Sequence, residues 1–297
     1  MANSEIIGAG QDKTARRAPK INTITCGDCL EVMQLIPDKS VDMILCDLPY
    51  GITDCKWDTI IPFSSLWDSY NRIAKENSPT ILFSCQPFTT SLINSNPHNF
   101  RYDLIWCKNM PVGAFNSGRM PMRSHEIILV FYRKLPTYNP IKTKRTEKEL
   151  SRFMRSPIKT TVQDSVYGDF DRTVLGRDAT ERNPDSLLFC DVVNGRNGAK
   201  VAHPTQKPVA LFEYLIRTYT NEGCTILDNC IGSGTTAIAC INTGRNYIGI
   251  EKEEKYCRIA EERIHALRSP AQNTVEICHT APNSASMQNA QVELNLL

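Results

Sequence analysis

Runs of consecutive apolar residues alternate along this chain with stretches whose apolar positions fall three and four apart, the pattern of strands and helices taking turns in an α/β sheet. Residues 41–46 predict a strand, preceded by a short helix over 29–36 whose first turn Asp28 can cap. Ser64 or Ser65 can start a helix through Leu66, Tyr70 and Ile73; Pro79 closes the turn that follows and 80–84 supplies the next strand. Residues 88–93 read as helix, and 102–107 and 126–132 as strands, the latter rich in Ile, Val and Phe. Between 136 and 202 charges, Pro, Gly and Asn dominate and neither period persists, so this segment reads as an insertion. Order returns at Pro208, where Val209, Leu211, Phe212, Leu215 and Ile216 share a helical face. Strand 225–228, helix 235–241, strand 247–250 and an amphipathic helix over 253–267 follow. The ends, 1–20 and 269–297, carry too little apolar pattern to fold and are expected to be disordered tails.

A chain of 297 residues with 41% hydrophobic content can bury one large α/β domain plus an insertion. Its longest apolar runs, such as 127–131, fall far short of the roughly 18 to 20 residues that cross a bilayer, and the first twenty residues lack an apolar signal core. No membrane span is expected, and a cytoplasmic location is. Twelve cysteines would suggest disulfides in a small secreted protein, but here many lie in strand-like runs (Cys46, Cys85, Cys107), which favours reduced, buried thiols. Cys26-Gly27-Asp28-Cys29 has no second Cys or His pair at zinc spacing, so no metal site is expected. Net charge is only +2, yet residues 101–160 hold thirteen Lys or Arg against four Asp or Glu. That imbalance suits a phosphate-binding face and equally a solvated basic surface.

Two motifs carry chemistry. Asp228-Asn229-Cys230-Ile231-Gly232-Ser233-Gly234-Thr235-Thr236-Ala237 follows a strand and opens a helix. Gly232 and Gly234 permit a tight turn and close ligand approach, and Glu251, at the end of the next strand, can accept from ribose hydroxyls. By itself this loop fits a dinucleotide cofactor, as in a nicotinamide oxidoreductase, almost as well as any other adenosine ligand. The second motif, Asp47-Leu48-Pro49-Tyr50-Gly51, projects from the carboxyl end of strand 41–46. Pro49 fixes its own φ and holds Leu48 extended, which sets the Asp47 carboxylate and the Leu48 carbonyl side by side as two acceptors for one NH2 group. The Tyr50 ring beside them can stack a planar base.

In order and content these motifs resemble the amino-methylating DNA methyltransferases of the β arrangement, in which an Asp-Pro-Pro-Tyr element precedes the cofactor glycine loop and a target recognition region lies between. His203-Pro204-Thr205-Gln206-Lys207-Pro208 looks like the family's other cofactor motif; Gly27-Asp28, Trp106-Cys107-Lys108-Asn109 and His125-Glu126 are smaller echoes. The likeness spans about 21–267 and divides the chain into a catalytic half (21–135), a recognition insertion (136–202) and a cofactor-binding half (203–268). Leu48 replaces the usual first proline, and Asn229-Cys230 stands where Pro-Phe is common, which removes an aromatic cover from the cofactor.

The resemblance implies a Rossmann-like α/β methyltransferase sheet with helices on both faces, S-adenosyl-L-methionine as cofactor, and methyl transfer to the N6 amine of adenine flipped from double-stranded DNA. It assigns catalysis to Asp47, Leu48, Pro49 and Tyr50. It gives the methionine portion of the cofactor to Asp228 and the Gly232, Ser233, Gly234, Thr235 backbone, the ribose to Glu251, and the carboxylate end to Thr205, Gln206 and Lys207, with Cys230 a further cofactor-binding residue. Ser84 is expected to line the cofactor pocket. Lys108, Arg119, Arg123, Lys142, Lys144 and Arg145 are the candidate DNA contacts, and a homodimer and a cognate restriction nuclease are the expected protein partners. Cytosine N4 is the nearest rival target, although Asp at position 47 favours adenine and Ser there is more typical of cytosine-amine enzymes. A catalytically silent DNA-binding module is the rival from another class.

Overall fold

The computed structural model describes residues 18–53, 55, 58–155, 161–162, 170–171, 180–193 and 206–268. Its centre is an eight-stranded sheet built from β1 (Thr23–Cys26), β2 (Met43–Asp47), β3 (Thr80–Ser84), β4 (Phe100–Val112), β5 (Arg123–Phe131), β10 (Leu187–Phe189), β11 (Thr225–Asp228) and β12 (Asn246–Glu251). The spatial order is β1-β12-β11-β2-β3-β5-β4-β10. The first five are mutually parallel, β5 runs antiparallel to both its neighbours, and β10 lies parallel to β4.

Central strands buried on both faces need continuous apolar runs, and β2 and β3 supply them. Alternate side chains then serve opposite cores. Met43 and Leu45 join Ile81 and Phe83 under α5 (Val209–Tyr219) and α6 (Thr235–Asn242), with Ile264 of α7 (Glu254–Arg268) in the same core. Ile44, Cys46 and Leu82 face α1 (Cys29–Met33), α2 (Phe63–Ile73) and α3 (Phe88–Ser95) on the other side. Helices therefore cover both faces, as expected of a methyltransferase sheet. No helix among the described residues is long and apolar enough to cross a membrane.

The segment expected to be irregular is partly ordered. It contains α4 (Glu147–Arg155) and four two-residue strands, β6 (Thr143–Lys144), β7 (Thr161–Val162), β8 (Phe170–Asp171) and β9 (Glu181–Arg182), paired β6 with β9 and β7 with β8. Its last strand, β10, returns to the main sheet, where the Trp106 indole donates to the Cys190 carbonyl at 2.8 Å.

What matters for function is which groups this topology collects. Cys26, Glu251, Asp228, Asp47 and Ser84 end five parallel strands on one rim. Antiparallel β5 begins there, with Glu126 opposite Trp106 and Ile127 opposite Ser84. Beyond Glu126 the β4–β5 hairpin overhangs the rim, turning through Gly113 at φ +95°.

Candidate functional site

Asp47 stands at the end of β2, and its turn folds back on it: the Tyr50 hydroxyl donates to Asp47 Oδ1 at 2.5 Å. The Tyr50 ring is supported by Phe88 of α3, with centroids 5.2 Å apart. The chain leaving the turn is held by Asp58, which is 9% exposed. Its Oδ1 accepts from the Gly51 N–H at 2.8 Å, while Oδ2 accepts from the Ile52 and Thr53 N–H groups and the Thr53 hydroxyl at 3.0, 2.8 and 2.8 Å. Burial pushes the Asp58 carboxyl up, but these hydrogen bonds to its charged form outweigh it and hold it below the ordinary value. Sequence reasoning missed Asp58, since its role is a loop contact with no periodic signal.

The ammonium of Lys207, just ahead of α5, donates to Asp47 Oδ2 at 2.5 Å and lies 3.3 Å from Glu126 Oε2. Lys108 of β4 holds the other oxygen, Glu126 Oε1, at 2.5 Å. Two carboxylates and two ammonium groups thus form one chain, with Lys207, Glu126 and Lys108 side chains only 8%, 13% and 7% exposed and Asp47 at 24%. Burial works against the charge of Lys207, but Asp47 and Glu126 outweigh it and keep its pKa up at about 12. Burial likewise opposes ionisation of Glu126, yet Lys207 and Lys108 hold its carboxyl below the usual range. Asp47 is pushed upward by burial, with Glu126 adding to the effect and Lys207 opposing it.

Two placements correct the sequence reading. Lys108, expected at DNA phosphate, is turned inward onto Glu126 with its ammonium 4.8 Å from the Trp106 ring centre. Ser84, expected to line the cofactor pocket, is fully buried; it accepts from the Thr89 hydroxyl at 3.0 Å and donates to the Ile127 carbonyl. In the sequence Glu126 is only an echo of the family pattern; a lone carboxylate heading an otherwise apolar strand is the available signal.

The glycine loop lies against this cluster: the Thr235 hydroxyl donates to the Lys207 carbonyl at 3.3 Å. Gly232 and Gly234 have φ of +53° and +85°, and a Cβ on Gly234 would sit 2.9 Å from the Ala260 Cβ of α7, so only glycine fits there. The Gly232 N–H donates to Glu251 Oε2 at 2.9 Å and the Glu253 N–H to Oε1 at 2.8 Å, which fixes the Glu251 carboxylate at the rim and leaves each oxygen further acceptor capacity. Asp228 is turned inward. It accepts from the Thr236 hydroxyl and, at 3.1 Å, from the Cys230 N–H, and burial raises its carboxyl to about 7. The Arg263 guanidinium donates to the Ser233 carbonyl and hydroxyl at 2.5 and 2.9 Å. Asn229, where the family pattern carries proline, accepts from the buried Tyr70 hydroxyl at 2.5 Å and so ties the loop to α2.

Of the remaining expected residues, Thr205 lies outside the described residues, and Gln206 is half-buried beside Lys207. Arg119 and Arg123 are exposed on the overhanging hairpin. Lys142 approaches Glu181 at 3.8 Å, and exposed Lys144 and half-buried Arg145 lie in or beside β6, away from the main sheet strands. Chemically, the rim offers an acceptor pair beside an aromatic face and, next to it, a glycine turn with a carboxylate suited to an adenosine.

Comparison with known proteins bears on what such a rim does. A family model described as DNA methylase matches residues 41–262. The Type II methyltransferase M.HinfI of Haemophilus influenzae is 28% identical over 288 residues, covering 86% of this chain and 72% of that protein. Among solved structures, the M1.HpyAVI–SAM complex matches with a TM-score of 0.54 at 24% identity over 82% of this chain and 98% of that one. PvuII DNA methyltransferase (cytosine-N4-specific) matches with a TM-score of 0.58 at 15% identity over 88% and 91%. The two structural likenesses are likenesses of fold.

Proposed function

Because this chain belongs to the N6/N4 DNA methylase family, we propose that it transfers a methyl group from S-adenosylmethionine to the N6 amine of adenine in double-stranded DNA. The observation that carries this reading is the junction of the two motifs: Lys207 touches Asp47 through its ammonium and the glycine-loop helix through its carbonyl. The acidic-aromatic turn and the glycine loop therefore share one rim.

The residues present fit the cofactor. Gly232 and Gly234 turn the backbone at the head of α6, and Glu251 is held ready for a ribose. S-adenosylmethionine brings a methyl carbon already activated by its sulfonium charge. The protein's task is to present a nitrogen lone pair to it. A target base must leave the duplex stack at a cost of a few kcal/mol, and stacking on the Tyr50 ring, worth about 1 to 3 kcal/mol, offsets part of this. The Asp47 carboxylate and the Leu48 carbonyl accept the two amine hydrogens and turn the lone pair toward the methyl group. Bound S-adenosylmethionine would supply the methyl group to that lone pair with its thioether as leaving group, and Asp47 would take the surplus amine proton and pass it to water. Lys207, which the family pattern gives to the cofactor carboxylate, acts in this reading on Asp47. On the DNA side the reading uses the exposed hairpin carrying Arg119 and Arg123. A homodimer and a cognate nuclease extend it as expected partners.

The test is single-turnover transfer of tritiated methyl to unmethylated genomic DNA, followed by nucleoside analysis. N6-methyladenine is the expected product; N4-methylcytosine would move the reading to the cytosine amine. Asp47→Ala should lower the transfer rate at least about a thousandfold, consistent with loss of an electrostatic orienting group, while S-adenosylmethionine affinity stays within a few-fold of wild type. Wild-type turnover in this variant would falsify the assignment.

A further inference from the structure

The chain of charges behind Asp47 contains one loosely held acceptor. Glu126 Oε2 is buried and meets the Lys207 ammonium only loosely, in an ion pair at 3.3 Å. The same ammonium makes its hydrogen bond to Asp47 Oδ2 at 2.5 Å. Lys207 thus lies between two carboxylates, bonding Asp47 closely and Glu126 loosely. The second is kept anionic by Lys108, which grips Glu126 Oε1 at 2.5 Å from β4.

We propose that Glu126 is a positioning residue for methyl transfer: when the target amine enters, Lys207 moves from Asp47 onto Glu126 Oε2, freeing the Asp47 carboxylate to hold the amine and take its proton. This rests on the methyltransferase reading above. A carboxylate neutralised by an ammonium in contact is a weak acceptor and a poor base, and in a site this enclosed the effect is stronger than in water. An empty site, conversely, cannot leave Asp47 buried and unpaired without cost. A second carboxylate that can take Lys207 meets both requirements: the ammonium neutralises Asp47 at rest and leaves it charged during the reaction, with no net charge entering the cluster.

A cation shared between two carboxylates shows itself in the pH dependence of the rate. The groups facing Asp47 and its charge chain are Tyr50 from its own turn, Lys207 ahead of α5, Glu126 of β5 with Lys108 behind it, Cys85 after β3 with Arg123 beside it, and Cys46 and Asp228 from β2 and β11. Glu126→Gln keeps the shape, deletes the second carboxylate and leaves Lys207 fixed on Asp47. Single-turnover rates with tritiated methyl donor and unmethylated genomic DNA should fall about tenfold or more, and the acidic limb of the rate–pH profile should move down by about one unit, the direction a closer cation and a missing anion both impose. S-adenosylmethionine affinity should change less than about twofold, since Glu126 touches no glycine-loop residue. Adding Lys207→Met to Glu126→Gln should restore part of the missing rate, because the clamp is gone.

Glu126→Asp keeps the charge and serves should the Gln variant not fold: its rate should drop several-fold with the acidic limb unmoved. An unmoved limb and a rate within threefold of wild type for Glu126→Gln, additive losses in the double variant, or a shifted limb in Glu126→Asp would each overturn the proposal. If the wild-type protein transfers no methyl group at all, the methyltransferase reading falls instead, so the two failures are distinguishable.

Discussion

Asp58 shows how much of this candidate site is held by a residue set behind the Asp47–Tyr50 turn. One carboxylate gathers three successive backbone N–H groups and a hydroxyl, and thereby fixes the exit of the turn that carries Tyr50. Asp58→Ala should cost about 1 to 3 kcal/mol in urea unfolding, as expected for removing a buried acceptor. It should also lower the single-turnover rate about tenfold through misplacement of Tyr50 while leaving cofactor affinity unchanged. An unchanged rate would show that the turn is rigid without its anchor. The sign of the pH effect follows from its lowered carboxyl: the stabilisation is complete above the ordinary carboxylate pKa and is lost as pH falls through the depressed folded-state value. At this scale the sequence is informative where one residue type has one use. Asp47, Tyr50, Gly232, Gly234 and Glu251 can be singled out as candidates because a carboxylate, an aromatic or a glycine at a strand end has few other reasons to be there. Asp58 and Glu126 cannot, because their meaning comes from partners across a loop or a sheet. Lys108 misleads for the same reason: a lysine in a basic stretch gives no sign that Glu126 will lie opposite it.

At the level of elements, the strand–helix junction at β11 and α6 couples the fold to pH. Asp228 ends the strand, bonds the Thr236 hydroxyl in the first turn of the helix, and has its carboxyl raised to about 7 by burial. A raised folded-state value means the folded protein keeps a proton that the unfolded chain gives up, so this contribution is fully present below the ordinary carboxylate pKa and lost as pH rises toward 7. Without cofactor, the melting temperature should therefore fall between about pH 4 and pH 7 and level off above, with a limiting slope of about 1.4 kcal/mol per pH unit from this one group. Asp228→Asn should flatten that dependence; an equally steep curve in the variant would place the titrating group elsewhere. The same junction explains which elements can be read in advance. β2, β3 and β11 are legible to within two residues because both faces are buried and the apolar run is unbroken. β1, four residues with no fully buried position, has no such run, and three-residue β10 exists only because β4 offers an edge. β4 continues five residues past its expected end at Cys107, where hairpin pairing with β5 sustains it without an apolar pattern.

For the whole molecule, the decisive question is where the positive charge of residues 101–160 points once the chain has folded. Part of it is consumed internally: Lys108 lies on Glu126 and Lys134 on Glu76, each at 2.5 Å, and Lys142 leans toward Glu181. Arg119 and Arg123 enter none of these ion pairs, although Arg123 also reaches the Cys85 thiol. They project from the β4–β5 hairpin, which overhangs the rim holding Asp47 and carries no acidic residue from 109 to 125. Beside them Phe115 stands wholly in solvent and Met120 is 58% exposed, an apolar tip that monomeric folding does not account for. Duplex DNA lying across the rim would meet the two arginines at its phosphates and the aromatic at its base edges. Removing one arginine–phosphate pairing reduces the slope of log affinity against log salt by about 0.9. Arg119→Ala and Arg123→Ala should each lower that slope by close to this amount in fluorescence-anisotropy titrations of duplex DNA, and Lys108→Met should not. Phe115→Ala should leave the slope intact and reduce the single-turnover rate, because an inserted ring helps extrude a base and neutralises nothing. Slopes that respond only to Lys142 or Lys144 would instead put the DNA on the β6 side, and the hairpin's exposed aromatic would then need another partner.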